Sequence, residues 1–403
     1  MNTPEETPGP LSRIKVLDLC IARAGPTCVR VLADLGAQVI QVVRPDGAGI
    51  DSSLPNFDRE NLHRNKRSIS LNLQTEAGRD VFYRLASDAD VVTENFRAGV
   101  KHRLKVDYET LRQINPRIVY GSISGFGQEG PYASRPGVDQ IAQGLGGVMS
   151  VTGPPGGGPW RVGVPISDLC AGMYLAHGIM AALLEREHSG EGQWVQTSLL
   201  EAMIAMLDFQ ATRWLIGGEV PPQAGNDHPT SFPMGVFEAS DGLINLAASG
   251  DRMFRDFLRV IDAEEVAQDE RFQTPRGRGS HRAELRALVE DKLRAQTCAH
   301  WIEALNAVGV PCGPVLSIDQ VFADPQVQYL RLAQQVESPR YGPLTLVRSP
   351  VRLSRTSTSL RNAAPLPGGD TAAVLGEYGY SPDEIEALAA SGAITTPGAG
   401  HPT

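Results

Sequence analysis

The sequence predicts an α/β protein, a parallel sheet covered by helices, with a second and smaller domain late in the chain. Two observations carry this. Strand-like runs alternate with short helical patterns from Ile14 to Ile123, the alternation that builds parallel βαβ units. From residue 234 the pattern changes to short strands and Arg- and Glu-rich amphipathic helices, and strand signals return at Ala333.

The first strand is Ile14–Leu19. Gly25-Pro26 follows, with Pro26 suited to a first helical position, and Val29, Leu32 and Ala33 form an apolar helix face that Gly36 closes. Val39–Val43 is the next strand. A second unit runs from Thr75, an N-cap residue, through Val81, Phe82 and Leu85 into the strand Val91–Thr93. A third opens at Asp107, breaks at Asn115-Pro116 and enters the strand Ile118–Ile123. Residues 125–167 are rich in Gly and Pro and show little periodicity. A long apolar helix is expected from about Leu169 to Arg186, then a strand Trp194–Thr197 and one helix Leu199–Leu215. The final helix is Pro382–Ala390. The expected layout is a large domain over 11–220, a small domain with its linkers over 221–332, a return over 333–394, and a disordered tail over 395–403.

Composition narrows the function. The net charge of −9, from 37 basic and 46 acidic side chains, argues against nucleic-acid binding, which needs a basic surplus or stripe. Five cysteines with no CxxC pair fit reduced thiols in a cytoplasmic protein. Met1–Pro10 has no apolar core, so no secretion signal is read there. The apolar helix after Asp168 reads as too short and interrupted for a membrane span.

Gly125-Phe126-Gly127-Gln128-Glu129-Gly130 matches GxGxxG, but Pro131, Arg135 and Pro136 follow where a dinucleotide site needs a helix. None of the eight histidines forms a metal-binding spacing, and His177, inside the apolar helix, is expected in the core. No GxSxG elbow is present. Asp168 sits where a glycine-rich loop becomes an apolar helix. There it reads as an N-cap, and an Asp kept ionised among glycines can also act as a nucleophile. Asp139, in Pro136-Gly137-Val138-Asp139, is a second carboxylate near a turn.

Taken in order, these segments resemble the class III coenzyme A transferases, a family that includes formyl-CoA transferase, carnitine CoA-transferase and α-methylacyl-CoA racemase. The landmarks are Val16-Leu17-Asp18-Leu19 with Ala24-Gly25-Pro26, Leu32–Ala37, Asn65-Lys66-Arg67-Ser68, Glu94-Asn95-Phe96 and Ser124-Gly125-Phe126-Gly127. Later come Gly146–Ser150, Asp168 with Ala171-Gly172, Thr197–Leu200, Gly309–Pro314 and Asp324–Val327. The resemblance implies a Rossmann-like large domain made from both chain ends, a smaller α+β domain, and an interlocked homodimer.

It also implies that Asp168 is the nucleophile, forming an aspartyl anhydride and then an aspartyl-CoA thioester, with Asp139 close by. CoA-lining positions carry over to Ala22, Arg23, Ala24, Arg44, Leu71, Asn95, Phe96, Arg103 and Leu104. Acyl-CoA and a carboxylic acid are the substrates, with no metal or prosthetic group needed. Formyl-CoA transferases have Gln where Arg23 stands and a glycine run where this chain has Asn226–Pro229, which points away from formate and oxalate. Arg23 beside the thioester could pair with a second carboxylate, so a small dicarboxylic acid is the expected substrate. The alternatives are an α-methylacyl-CoA racemase, weakened by Val138 where racemases carry a His, and a non-catalytic CoA-binding homologue.

Overall fold

The structure is a computed structural model, and it describes residues 8–45 and 57–396. In chain order the elements are β1 (Lys15–Asp18), α1 (Ala24–Asp34), β2 (Gln38–Val43), α2 (Phe57–His63), β3 (Lys66–Ser70), α3 (Glu76–Ala86), β4 (Val91–Glu94), α4 (Ala98–Leu104), α5 (Tyr108–Ile114) and β5 (Val119–Ser124). Then come α6 (Asp139–Leu145), α7 (Val148–Val151), α8 (Ile166–Ser189), β6 (Trp194–Ser198), α9 (Leu199–Met206) and α10 (Phe209–Gly217). The later elements are β7 (Met234–Glu238), β8 (Leu243–Ala247), α11 (Asp251–Val260), α12 (Pro275–Ser280), α13 (Arg282–Leu293), α14 (Cys298–Ala307), β9 (Cys312–Pro314), α15 (Ile318–Ala323) and α16 (Pro325–Tyr329). The chain ends with β10 (Ala333–Ser338), β11 (Gly342–Val347), α17 (Thr371–Glu377) and α18 (Pro382–Ala390).

Contacts divide the chain into two compact units, one of residues 1–148, 162–208 and 328–403, the other of 149–161 and 209–327. The first is built on a six-stranded parallel sheet of order β3-β2-β1-β4-β5-β6. Side chains alternate across it. Val16, Val39, Val91 and Val119 pack on one face with α1 and α8, while Leu17, Val92, Ile69 and Tyr120 pack on the other with α3, α5 and α17. The free edge of β3 is covered by the C-terminal part of the chain. Ser68 N donates to Asp370, Ser70 N to Thr371 Oγ1, and the Asn65 side chain accepts from the backbone of Arg361 and Asn362.

The second unit holds the antiparallel sheet β7-β8-β9 and a separate core of Phe237, Ile244, Phe257, Leu285 and Trp301.

Local signals behave as their chemistry requires. Thr75 caps α3 by accepting from Gly78 N at 3.1 Å, Asp107 caps α5, and Gly36 closes α1 with φ +103°. Several expectations change. Helix α1 begins at Ala24, so Pro26 is its third residue. The expected helix over 199–215 is two, interrupted at Asp208, whose φ of +48° no helix residue adopts. One chain boundary between the two compact units also falls there, at residues 208–209, whereas the sequence predicts it at 220. Helix α8 runs 24 residues, three residues further at each end than expected, and by length and composition it is long enough to cross a membrane; half of its apolar stretch is buried in the protein. His177 lies on its exposed side, not in the core. Of the expected tail, Thr395 is tied to Ser70 Oγ, while residues 397–403 lie outside the described residues, as do residues 1–7 of the N-terminal segment.

Helices α1 and α8 meet at Gly172. A Cβ there would stand 2.6 Å from the Ala24 carbonyl oxygen and 2.8 Å from Thr27 Cβ, so only hydrogen permits the contact. Gly172→Val is expected to destabilise the protein by about 1–3 kcal/mol, read as a lower urea midpoint.

Candidate active site

Strand order reverses between β1 and β4, and in open parallel sheets the crevice beyond the carboxyl ends of the strands at such a point is where ligands bind. Here a cavity of about 1490 Å³ opens at that place, lined by Leu19–Ala24 after β1, Asn95–Arg97 after β4, and Ser124, Gly125, Ala133 and Arg135–Val138 at and after the end of β5. Buried ion pairs brace the strand ends. Lys66 donates to Asp18 at 2.8 Å with both side chains fully buried, and Lys101 donates to Glu94 at 3.2 Å. Glu94 also accepts from Phe96 N and Ser122 Oγ, yet its burial still holds its pKa above the ordinary value.

The β1–α1 loop is shaped by one side chain. The Asn95 carbonyl oxygen accepts from Ile21 N at 2.9 Å, and its amide donates to Ile21 O at 2.6 Å. That clamp holds the turn in which Ala22 adopts φ +58°, a left-handed conformation costly for a residue with a Cβ. Asn95, read from sequence as a CoA contact, therefore spends its amide on shaping the loop. The sequence could not show this, because Ile21 and Asn95 lie 74 residues apart.

Asp168 is not the N-cap of α8. Pro165 holds that place without a side-chain bond, and Asp168 is the third helical residue, with its side chain on the cavity wall. The cap comes from elsewhere. Asp139 Oδ1 accepts from Ser167 N at 3.0 Å and Ser167 Oγ at 2.9 Å, and Gln143 donates to Oδ2 at 2.8 Å. A distant carboxylate thus satisfies an orphan donor of the first turn. Asp139 is not among the cavity-lining residues; its neighbour Val138 is. The Asp168 carboxyl is pushed up to about 6, first by burial and then by the Asp139 charge, while Arg23 pulls it down. Such a carboxylate is ionised at neutral pH yet poorly hydrated, a suitable state for a nucleophile.

All nine positions read as CoA-lining — Ala22, Arg23, Ala24, Arg44, Leu71, Asn95, Phe96, Arg103 and Leu104 — lie on this cavity together with Asp168. Sequence reasoning missed Arg59, Arg79, Arg97, Arg135 and Asp58, which share it. Asp58, Arg59, Arg97 and Arg135 come from loops or a short helix with no periodic signal, and Arg79 stands among the polar positions of α3, so each reads alone as a solvated charge. Among the described residues the lining holds seven arginines against two carboxylates, Asp58 and Asp168, in a chain of net charge −9. His63, also on the lining, is kept neutral by burial and by Lys66 beside it. The cavity is built to take an anion.

The dinucleotide reading falls away. No helix opens after Gly130; the next begins at Asp139, so the glycine motif carries no helix-terminal phosphate site. Instead Gly125 and Gly137 press together, and a Cβ on Gly125 would sit 2.7 Å from Gly137 Cα. Among the described residues no His, Cys, Asp and Glu cluster could hold a metal ion.

The sequence profile described as CoA-transferase family III matches residues 11–371. The chain is 38% identical to the succinate–glutarate CoA-transferase of Agrobacterium fabrum over 382 residues, covering 91% of this chain and 95% of that protein. It is 39% identical to the acetyl-CoA:oxalate CoA-transferase of Acetobacter aceti, covering 80% and 85%, and 33% identical to the human succinyl-CoA:glutarate CoA-transferase, covering 96% and 90%. Among solved structures, a CAIB/BAIF family protein from Brucella suis superposes with a TM-score of 0.82 at 35% identity, covering 92% of this chain and all of that one.

The Asp168 value has a consequence for stability. Its folded value lies above the unfolded one, so the folded protein binds that proton more tightly, and the ionised form lowers stability above about pH 6. Asp168→Asn is expected to raise the thermal midpoint at pH 7.5. The gain should fade as pH falls through 6 towards 4, as calorimetry across that range would read.

Proposed function

Since the chain belongs to CoA-transferase family III, we propose that it moves coenzyme A from an acyl-CoA donor to a small dicarboxylic acid, with Asp168 as the nucleophile. The observation that carries the reading is a poorly hydrated carboxylate on the wall of an arginine-rich cavity at the sheet's switch point. The relatives whose names specify succinate, glutarate, oxalate or mesaconate supply the substrate class.

In the proposed reaction an Asp168 oxygen attacks the thioester carbonyl and CoA leaves as the thiolate, giving a mixed anhydride. The thiolate attacks the aspartyl carbonyl, the first acid departs, and Asp168 carries CoA as a thioester. The acceptor carboxylate then attacks that thioester, again releasing thiolate, which takes the acceptor's acyl group and returns Asp168 as a carboxylate. Charge is conserved throughout, so no metal is required. Holding both partners in one cavity offsets the weak nucleophilicity of a carboxylate. Gly125 and Gly137 put bare backbone on the lining, where N–H groups can meet the oxyanion. Arg44 and Arg103 suit the phosphates of CoA, and Ala22–Ala24 the pantetheine arm. Asp139 acts by fixing the helix that presents Asp168.

Racemisation needs two proton carriers flanking the α carbon, and Val138 on the lining cannot carry one. The free cysteines suit a cytoplasmic, reducing setting.

We also propose a homodimer. Ile141 and Leu145 of α6, Met173, Tyr174 and Leu184 of α8, and Ile204 and Met206 of α9 are all exposed in the single chain, on three helices that pack against one another, and exposed apolar side chains gathered in this way suit an association surface. Sedimentation at nanomolar concentration is expected to show one dimeric species; an active monomer would refute the assignment.

Asp168→Ala is expected to lower exchange by at least about a thousandfold, with CoA binding retained, as loss of a covalent nucleophile does. With wild type, hydroxylamine after an acyl-CoA should leave a hydroxamate on Asp168, seen by mass spectrometry. The acid limb of kcat/KM for the acyl-CoA should inflect near pH 6, because only the ionised carboxylate attacks.

A further inference from the structure

The arginines of the cavity are not equivalent. Arg44 follows β2, Arg79 lies on α3 and Arg103 on α4, whereas Arg23 ends the β1–α1 loop and is the cation whose charge bears on Asp168. Its guanidinium is already gripped at both ends by Asp58. Nη1 donates to Oδ1 at 3.3 Å and Nη2 donates to Oδ2. Asp58 stands on α2, lines the same cavity, and keeps 57% of its side chain exposed. A planar guanidinium facing a planar carboxylate through two parallel bonds is how arginine recognises any carboxylate. The protein thus places a carboxylate of its own against the arginine beside Asp168.

We propose that Arg23 reads the free, distal carboxylate of a dicarboxylic acid bound beside Asp168, and that Asp58 holds Arg23 until that carboxylate takes its place. The proposal rests on the transferase reading above and deepens it by naming the residues that select the acid. Three consequences follow from the chemistry. An ion pair with so exposed a partner is weak, so an incoming carboxylate displaces it readily. Between turnovers Asp58 keeps Arg23 from closing on Asp168, an ion pair that would stabilise the ionised carboxylate and blunt its attack. A monocarboxylic acid has nothing to offer Arg23 and leaves the Arg23–Asp58 pair intact.

The test compares succinate and glutarate with butyrate and valerate, acids of matching chain length. Two readouts are used: CoA transfer from a panel of acyl-CoA donors, and calorimetric binding of each acid to the CoA-loaded protein. Asp58→Asn is expected to lower KM and Kd for the dicarboxylates about two- to fivefold, leaving those for the monocarboxylates unmoved. Arg23→Gln should raise the dicarboxylate values by at least about tenfold, as loss of a charge-assisted pair does. In the Arg23→Gln background, Asp58→Asn should change nothing further, because the two side chains act through one contact. Equal effects on mono- and dicarboxylates, or weaker dicarboxylate binding in Asp58→Asn, would overturn the proposal. Binding that depends on Arg23 as described, without transfer from any donor, would sustain the carboxylate site and refute the transferase reading instead.

Discussion

The site depends on where helix α8 begins. Its first turn exposes backbone N–H groups, and no residue of its own start caps them: Pro165 stands at the cap without a side-chain bond. Asp139 does so instead from the start of another helix, through Ser167. The same arrangement sets the chemistry of Asp168. The charge that fixes the helix start also opposes ionisation one residue further on, adding to the effect of burial. Gly172, one turn along α8, lets the helix touch α1 near Ala24, so the helix of Asp168 and the loop with Arg23 are held in register by backbone contact.

The surroundings of Asp168 divide the cavity's charges by task. Buried pairs such as Asp18–Lys66 and Glu94–Lys101 hold the strand ends and are closed to a ligand. Breaking one member of such a pair leaves an uncompensated buried charge, which makes them rigid supports. The arginines of the lining hold positive charge against solvent in a protein that is acidic as a whole. That local reversal of sign favours a polyanion at this cavity over the rest of the surface. An ionised carboxylate in a poorly hydrated setting, as at Asp168, reduces stability.

Much of this was legible beforehand where the signal is local. Thr75 and Asp107 cap helices as their positions suggest, Gly36 ends α1, and the alternation through Val16 and Leu17 places residues on opposite faces of a sheet. What misled was also local. Helical periodicity runs through Asp208, and nothing in the pattern marks the positive φ there. His177 sits among apolar residues in the sequence, yet the turn of the helix carries it to the exposed side.

The sequence by itself determined the α/β class, much of the strand–helix alternation though not α2, β3 or α4, and, through the ordered motifs of its resemblance, the family and nine positions that lie on the cavity with Asp168. Periodicity and capping depend on neighbours within a few positions, which any single chain displays. Only the tertiary structure decided that Asp139 caps a helix 28 residues away, that Asn95 shapes the turn at Ala22, and that Asp58 grips Arg23. These pairings are set by which strand ends the parallel sheet brings side by side. A single hydrogen bond or ion pair across that distance leaves no periodic trace in the residues between.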